Sequence, residues 1–343
     1  MKPVLILDNH FRKRGELFRA STYDALTGLC EVHGGEDHPM ARDAITALLP
    51  RAAFYVASRP ELTAPEIAKA PELKATIEVS GAFRDGIDYA ACFERGIEVL
   101  SCSPGFRNSV AEMVLAMMLA GGRGLVAEHE AFRTGAERWL DDRDDTDFTL
   151  YGQSIGFLGY GQISRETHRL LAPFAPRVLA HDPYLTDAGP DVELTDLETL
   201  VTTCRVVVVA AVPSASTQGL LSAELIAKLQ PGALVVVISR AWCTDFSALM
   251  AASEEGRILV ATDVFPDEPL AADDPMRRLR NVILSPHRAA AVPGGRHLIG
   301  DMILHDVQAI LESRPDRQLK LADPSVVAGL VAAQQQMNAM PNT

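Results

Sequence analysis

The stretch that decides the fold is Ser154–Leu171, SIGFLGYGQISRETHRLL. A short apolar run of strand character enters Gly159-Tyr160-Gly161 and continues into a segment with helical spacing of its apolar positions. A strand, a glycine turn and a helix in that order make a phosphate site, because the first N–H groups of the helix have no intrahelical partners. Gly159 permits the tight turn and Gly161 lets backbone approach a diphosphate, while Gln162 and Ile163 open the helix. The third position of the motif governs close packing of helix on strand, and here it is Ser164 instead of glycine. So small a side chain predicts a modest adjustment and a retained site. The companion is Asp182 in VLAHDPY, 21 positions after Gly161. A carboxylate at the end of the next strand accepts hydrogen bonds from the adenosine ribose hydroxyls and repels a 2′-phosphate. Pro183 and Tyr184 follow it and no arginine does, which predicts NAD(H) over NADP(H).

Outward from this motif the same alternation repeats. Apolar runs at 177–182, 205–211, 233–240, 258–265 and 281–287 predict strands of a parallel sheet covered by helices on both faces. The first hundred residues alternate in the same way, with candidate strands at 4–8, 52–58, 75–81 and 97–103. Between the two series, SPGFRNSVAEMVLAMMLAGG contains a Pro-Gly break and a long apolar helix with Asn108 or Ser109 as its cap. It marks a boundary. After His287, AAAVPGGRHLIGDMILHDVQAIL reads as a breaker and a helix that packs back on the first domain, with no further strand expected. The last twenty or so residues read as a weak helix or a loose tail.

At 343 residues, length alone suggests about two domains. With 48% hydrophobic and 22% charged residues the chain can bury a sizeable core. A formal charge of −13 argues against nucleic acid or an anionic membrane surface as partner. A few converging arginines or backbone N–H groups can still hold a small anion. Five scattered cysteines without a C-x-x-C pair favour a reducing compartment and predict neither a disulfide framework nor a metal site. The N-terminus lacks the apolar core of a signal peptide, and VVVVAAV from Val206 is far too short to span a membrane. The expected location is cytoplasmic.

Three further residues stand at predicted strand ends, where open α/β sheets place ligands. Arg240 could be a solvated strand-end charge; as a binding group, its planar guanidinium grips a carboxylate bidentately. His287 could be a surface histidine; as a catalyst, its near-neutral titration suits proton donation to a developing alkoxide. Glu268 could be an ordinary loop carboxylate; beside His287 it would orient the ring and favour its charged form. A cation, a proton relay and a dinucleotide together suit hydride transfer to a 2-oxo acid.

From about residue 50 to 320, NSVAEMVLAMMLA, RTGAERW, IGFLGYGQIS, LAHDPY, PSASTQGLLSAELIAKLQPGALVVVISRA, ATDVFPDEPL and NVILSPHRAA follow in fixed order. In this ordered set the chain resembles the D-isomer-specific 2-hydroxyacid dehydrogenases. The resemblance implies an α/β protein of two domains with parallel sheets. A flavodoxin-like substrate domain comprises 1–105 and 290–325, an inserted Rossmann-like NAD-binding domain comprises 106–289, and a C-terminal tail comprises 326–343, with the active site in the cleft. It implies that Arg240 binds the substrate, Glu268 partners His287, and His287 is the acid/base. It implies cofactor contacts from Asp182, Pro213, Thr217 and Asp263, the last beside the nicotinamide carboxamide. Backbone N–H groups of the loop around Gly81, Ala82 and Phe83 would bind the substrate carboxylate. The partners implied are a small 2-oxo or 2-hydroxy acid and a second copy of the chain, a homodimer formed through the NAD-binding domain. Arg84 and Arg288 would serve a second anionic group or face water, water being the favoured reading, and Phe83 and Trp242 would shape specificity. Alternatives are a phosphite or formate dehydrogenase of the same fold, an NAD-sensing binding protein, and, less so, a relative of adenosylhomocysteine hydrolase.

Overall fold

The computed structural model describes residues 1–9, 12–140 and 147–339. The chain divides into two units, Met1–Arg107 with Ala290–Ala339, and Asn108–Ala289. In the first, β1 (Val4–Asp8), β2 (Glu31–Gly34), β3 (Ala52–Ala57), β4 (Ala75–Glu78) and β5 (Glu98–Ser101) pair in parallel in the order β5-β4-β3-β1-β2. The apolar runs become strands because parallel pairing with helices on both faces buries every side chain. Leu5, Ile6, Leu7, Phe54, Val56 and Ile77 have no exposed surface. Sequence patterning misses β2, whose residues Glu-Val-His-Gly carry no apolar run because the strand lies at a partly exposed edge. The order of strand addition reverses between β1 and β3.

In the second unit the parallel strands are β6 (Ser154–Leu158), β7 (Arg177–His181), β8 (Val192–Leu194), β9 (Val206–Val209), β10 (Leu234–Val237), β11 (Leu259–Thr262) and β12 (Val282–Leu284). Their order is β12-β11-β10-β9-β6-β7-β8, so the order of strand addition reverses between β6 and β9. An open α/β sheet binds ligands at such a switch point, beyond the carboxyl ends of its strands. The helix Arg107–Gly122 begins at Arg107, slightly before the expected caps, and buries Val110, Val114, Met117 and Met118. Ser109 lies inside it and is itself buried.

The chain then returns to the first unit. Helix His297–Leu311 places Ile299, Met302, Ile303 and Val307 in one core with Leu5, Phe54 and Ile77. Gly300 is where it comes closest: a Cβ there would lie 2.3 Å from the Leu17 carbonyl oxygen. Contrary to the reading that no strand follows, β13 (Lys320–Leu321) pairs antiparallel with β5. Its two residues are too few for a sequence signal. The buried Asp306 carboxylate sets its approach by accepting from the N–H groups of Gln318 at 2.8 Å and Leu319 at 2.9 Å. Of the two readings of the last twenty or so residues, a weak helix or a loose tail, the described residues form the helix. Val327–Ala339 is a helix, and Val327 is buried with Ile67, Leu73 and Ile97 in the first unit's core. Tertiary packing secures a helix whose own pattern has little amphipathic signal.

Gly300→Ala should destabilise the first unit by about 1–3 kcal/mol, the usual cost of overpacking against a neighbour that cannot yield. Thermal unfolding checks this, and an unchanged midpoint would show that the contact is not fixed.

Candidate active site

All the chemistry-bearing loops of the second unit leave the carboxyl ends of its strands. At the switch point, Gly159 follows β6 directly with φ +85°, and a Cβ there would lie 2.6 Å from the Ala211 Cα, beyond β9. Only glycine serves at this crossing. Gly161 is the N-cap of helix Gln162–Leu171 and offers no side chain to it, and a Cβ added to Gly161 would meet nothing within 4 Å. The first turn, from Gln162 and Ile163 onward, therefore faces open space with its N–H groups uncapped by any side chain, as a diphosphate requires. Ser164 is buried and donates its hydroxyl to the Gly159 carbonyl oxygen at 2.6 Å. The serine thus ties helix to turn, a contact that glycine could not make.

Asp182, just beyond β7, braces the same turn. Its carboxylate accepts from the N–H of Tyr160 at 2.9 Å and from the N–H of Tyr184 at 3.1 Å. Each oxygen keeps a lone pair for a hydroxyl donor. Beyond β9, Pro213 and Thr217 lie in a turn closed by Thr217, whose hydroxyl donates to the Val212 carbonyl at 2.8 Å and accepts the Ser214 N–H at 2.7 Å. Trp242 braces that turn from outside, its Nε1 donating to the Ser214 carbonyl at 2.9 Å.

Arg240 follows β10, Glu268 follows β11 and His287 follows β12, and all three are brought together. His287 Nδ1 lies 2.6 Å from Glu268 Oε2, and the other Glu268 oxygen accepts the Phe265 N–H at 3.0 Å. Partial burial works against the Glu268 charge. The hydrogen bonds from His287 and Phe265, with the charges of His287 and Arg240, outweigh it and hold the carboxyl below its ordinary value. A depressed carboxyl is ionised at neutral pH and loses its contribution only as pH falls through that lowered value. Arg240 is exposed and donates to the Ser239 carbonyl at 2.6 Å.

His287 is a non-glycine residue with φ +47°, a strained conformation that the surroundings must impose. Asp263 imposes it. Its buried carboxylate accepts the N–H groups of Arg288 and Ala289, each at 2.9 Å, and the Ser285 hydroxyl. The sequence reading assigns Asp263 to the cofactor; within this unit it is the anchor of the histidine loop. Sequence reasoning misses that role because Ser285, Arg288 and Ala289 follow Asp263 by 22 to 26 residues. Arg288 itself is exposed. Among the described residues no cluster of His, Cys, Asp and Glu could hold a metal ion.

The first unit departs from expectation at the loop after β4. The N–H groups of Gly81 and Ala82, expected to meet a substrate carboxylate, instead donate to the buried Glu78 at 2.8 Å and 2.9 Å. Phe83 is turned into the core, its ring edge-on to Tyr89 at 6.4 Å. Arg84 is only part-exposed and is held from within. Its Nε lies 3.5 Å from Glu78, and its Nε and Nη2 donate to the Ser80 hydroxyl. The signal was a lone glutamate in the apolar run ATIEVSG, at the end of a strand otherwise free of charge.

Residues 115–289 match the family model for the D-isomer specific 2-hydroxyacid dehydrogenase, NAD binding domain. The D-3-phosphoglycerate dehydrogenase of Archaeoglobus fulgidus is 29% identical over 283 residues, which are 81% of this chain and 53% of that protein. The chain thus spans about half the length of the D-3-phosphoglycerate dehydrogenases it matches. A glyoxylate reductase of Thermofilum pendens is 29% identical over 290 residues, 82% of this chain and 85% of the relative. The crystal structure of a phosphoglycerate oxidoreductase from Rhizobium etli superposes with a TM-score of 0.83 at 31% identity, covering 94% of this chain and 99% of that one. With the ordered turn, acid and strand-end residues in place, the chain belongs to the D-isomer-specific 2-hydroxyacid dehydrogenase family, and residues 115–289 form its NAD-binding domain.

Proposed function

We propose that the protein is an NAD(H)-dependent oxidoreductase that interconverts a 2-oxo acid and a D-2-hydroxy acid. The observation that carries this reading is the grouping of Arg240, Glu268 and His287 on the same sheet edge as the Gly159–Gly161 turn, with His287 fixed to Glu268 at 2.6 Å. NAD(H), when bound, supplies or accepts a hydride. Gly161 and the N–H groups of Gln162 and Ile163 hold its diphosphate, and Asp182 takes the ribose hydroxyls. Pro213 and Thr217 border it on the other side of the switch point. Arg240 grips the substrate carboxylate and polarises the adjacent carbonyl. With Nδ1 committed to Glu268, Nε2 is the nitrogen left to face the substrate, and the imidazolium delivers the Nε2 proton to the substrate oxygen in the reductive direction. Glu268 keeps the ring oriented and compensates its positive charge.

The reading includes a homodimer formed through the second unit. Leu125, Phe132 and Trp139, on and just beyond the helix Leu125–Thr134, are 62%, 59% and 76% exposed, and exposed apolar side chains grouped in this way suit a protein interface. Phe132 and Trp139 stack edge-on at 6.2 Å, so the patch is preformed.

His287→Ala should lower kcat about 10²–10⁴-fold, the contribution of a positioned general acid, with NADH affinity kept. Steady-state turnover on the protein's best 2-oxo acid checks it, and unchanged kcat would remove His287 from the proton path. Asp182→Ala should relax discrimination against NADPH and also weaken NADH binding, since the Tyr160 N–H loses its acceptor. Titrating both cofactors decides this; intact NADH selectivity would refute the assignment. Trp139→Glu should convert dimer to monomer in sedimentation, and a wild-type chain that sediments as a monomer would contradict the interface.

A further inference from the structure

Trp242 stands two residues beyond Arg240, yet its side chain is tied to the loop after β9. The indole Nε1 donates to the Ser214 carbonyl at 2.9 Å, across 28 positions of sequence. The ring packs on the core of the second unit, against the cluster that holds Leu221, Ala241 and Cys243. Backbone bonds repeat the connection. The Trp242 carbonyl accepts the Gly219 N–H at 2.9 Å, the Cys243 carbonyl accepts the Leu221 N–H at 3.0 Å, and the Asp245 N–H donates to the Leu221 carbonyl at 3.0 Å. The buried Cys243 thiol donates to the Ala211 carbonyl at 3.6 Å. Segments 211–221 and 241–245 are thereby laced together.

Each side of this lacing meets a group with a part in the chemistry. On one side, Ala211 lies against Gly159, and Ser214 closes the turn of Pro213 and Thr217 that borders the cofactor in the function proposed above. The Ser214 carbonyl accepts the Thr217 N–H at 3.1 Å as well as the indole. On the other side, Arg240 is the extended residue, φ −152° and ψ 147°, that leads into the short helical turn Ala241–Cys243. The direction of its side chain depends on how that turn is held. The backbone bonds end at Gly219 and Leu221, beyond the cofactor-side turn, and the indole carries the connection into the turn itself, at Ser214.

We propose that Trp242 is a positioning residue that couples the cofactor to the substrate-binding arginine. NAD(H) lodged against Pro213 and Thr217 fixes, through the Ser214 carbonyl and the indole, the segment that sets Arg240, so a carboxylate binds more tightly once the cofactor is in place. The roles of NAD(H) and Arg240 in this coupling rest on the function proposed above, which it deepens. The physical basis is ordering: the first ligand meets the cost of fixing the shared segment, and the second no longer has to. The effect is reciprocal, so the carboxylate tightens NAD(H) by the same factor.

Calorimetric titration of the full chain with oxalate, an unreactive dicarboxylate, with and without saturating NADH measures the coupling. In the wild type NADH should tighten oxalate about 5- to 150-fold, the usual range for two coupled sites. Trp242→Phe keeps an aromatic ring and removes the N–H. It should bring that factor close to one, and should weaken NADH alone by no more than about 10-fold, the loss of a single neutral hydrogen bond. A tryptophan with a merely structural role would weaken each ligand and leave the factor where it was. A factor preserved in Trp242→Phe, or no tightening in the wild type, overturns the coupling. Arg240→Ala separates this outcome from a failure of the proposed function. If Arg240→Ala abolishes oxalate binding while Trp242→Phe keeps the wild-type factor, only the coupling falls. If oxalate binding ignores Arg240→Ala, the substrate role of Arg240 falls and takes the coupling with it.

Discussion

Parallel pairing of strands is the constraint on which the rest of the second unit depends. Seven parallel strands present all their carboxyl ends on one edge, so residues as distant in sequence as Gly159 and His287 emerge together. The pairing itself follows from composition. Strands such as Val206–Val209, with no surface exposed, are stable only between two helical layers. Crossover connections, helical after β6, β8, β9 and β10, return the chain so that every strand runs the same way. The reversal between β6 and β9 opens the crevice, and Gly159 lets the backbone at Ala211 approach it.

Within that frame, precision comes from carboxylates that grip backbone. Asp263 holds the loop that bears His287 in a left-handed conformation, Asp182 holds the glycine turn, and Glu78 holds the loop after β4. Asp306 does the same for the approach to β13. A carboxylate that accepts two or three N–H groups fixes a loop more narrowly than apolar packing does, since its hydrogen bonds are directional and costly to leave unmade. Gly300→Ala probes packing of the return helix, and these carboxylates are its polar counterpart in loop placement.

Much of this was legible in the chain. The strand–turn–helix at 154–171 and the aspartate 21 positions beyond Gly161 carry local signals, and so do the apolar runs that became buried strands. Arg240, Glu268 and His287 were legible as strand-end residues in an ordered series of motifs. What escaped was non-local or too short. The edge strands β2 and β8 have polar faces, and β13 has two residues. The bonds from Asp263 to the histidine loop escape the sequence because their partners lie more than twenty positions on. Core packing claims the Phe83 ring, and Glu78 with Ser80 claims the Arg84 guanidinium, through contacts that no local pattern announces. The serine of the glycine motif was read as tolerated, and the structure gives it a bond of its own.

The central claim is that hydride passes between NAD(H) and the C2 atom of a 2-oxo acid on this chain. The most direct measurement is mass analysis, after chiral separation, of products formed from NADH deuterated at the transferred position and a panel of 2-oxo acids. The account predicts a D-2-hydroxy acid carrying deuterium at C2, abolished in Arg240→Ala. NADH bound by the protein, with no deuterium transferred to any 2-oxo acid, would contradict it.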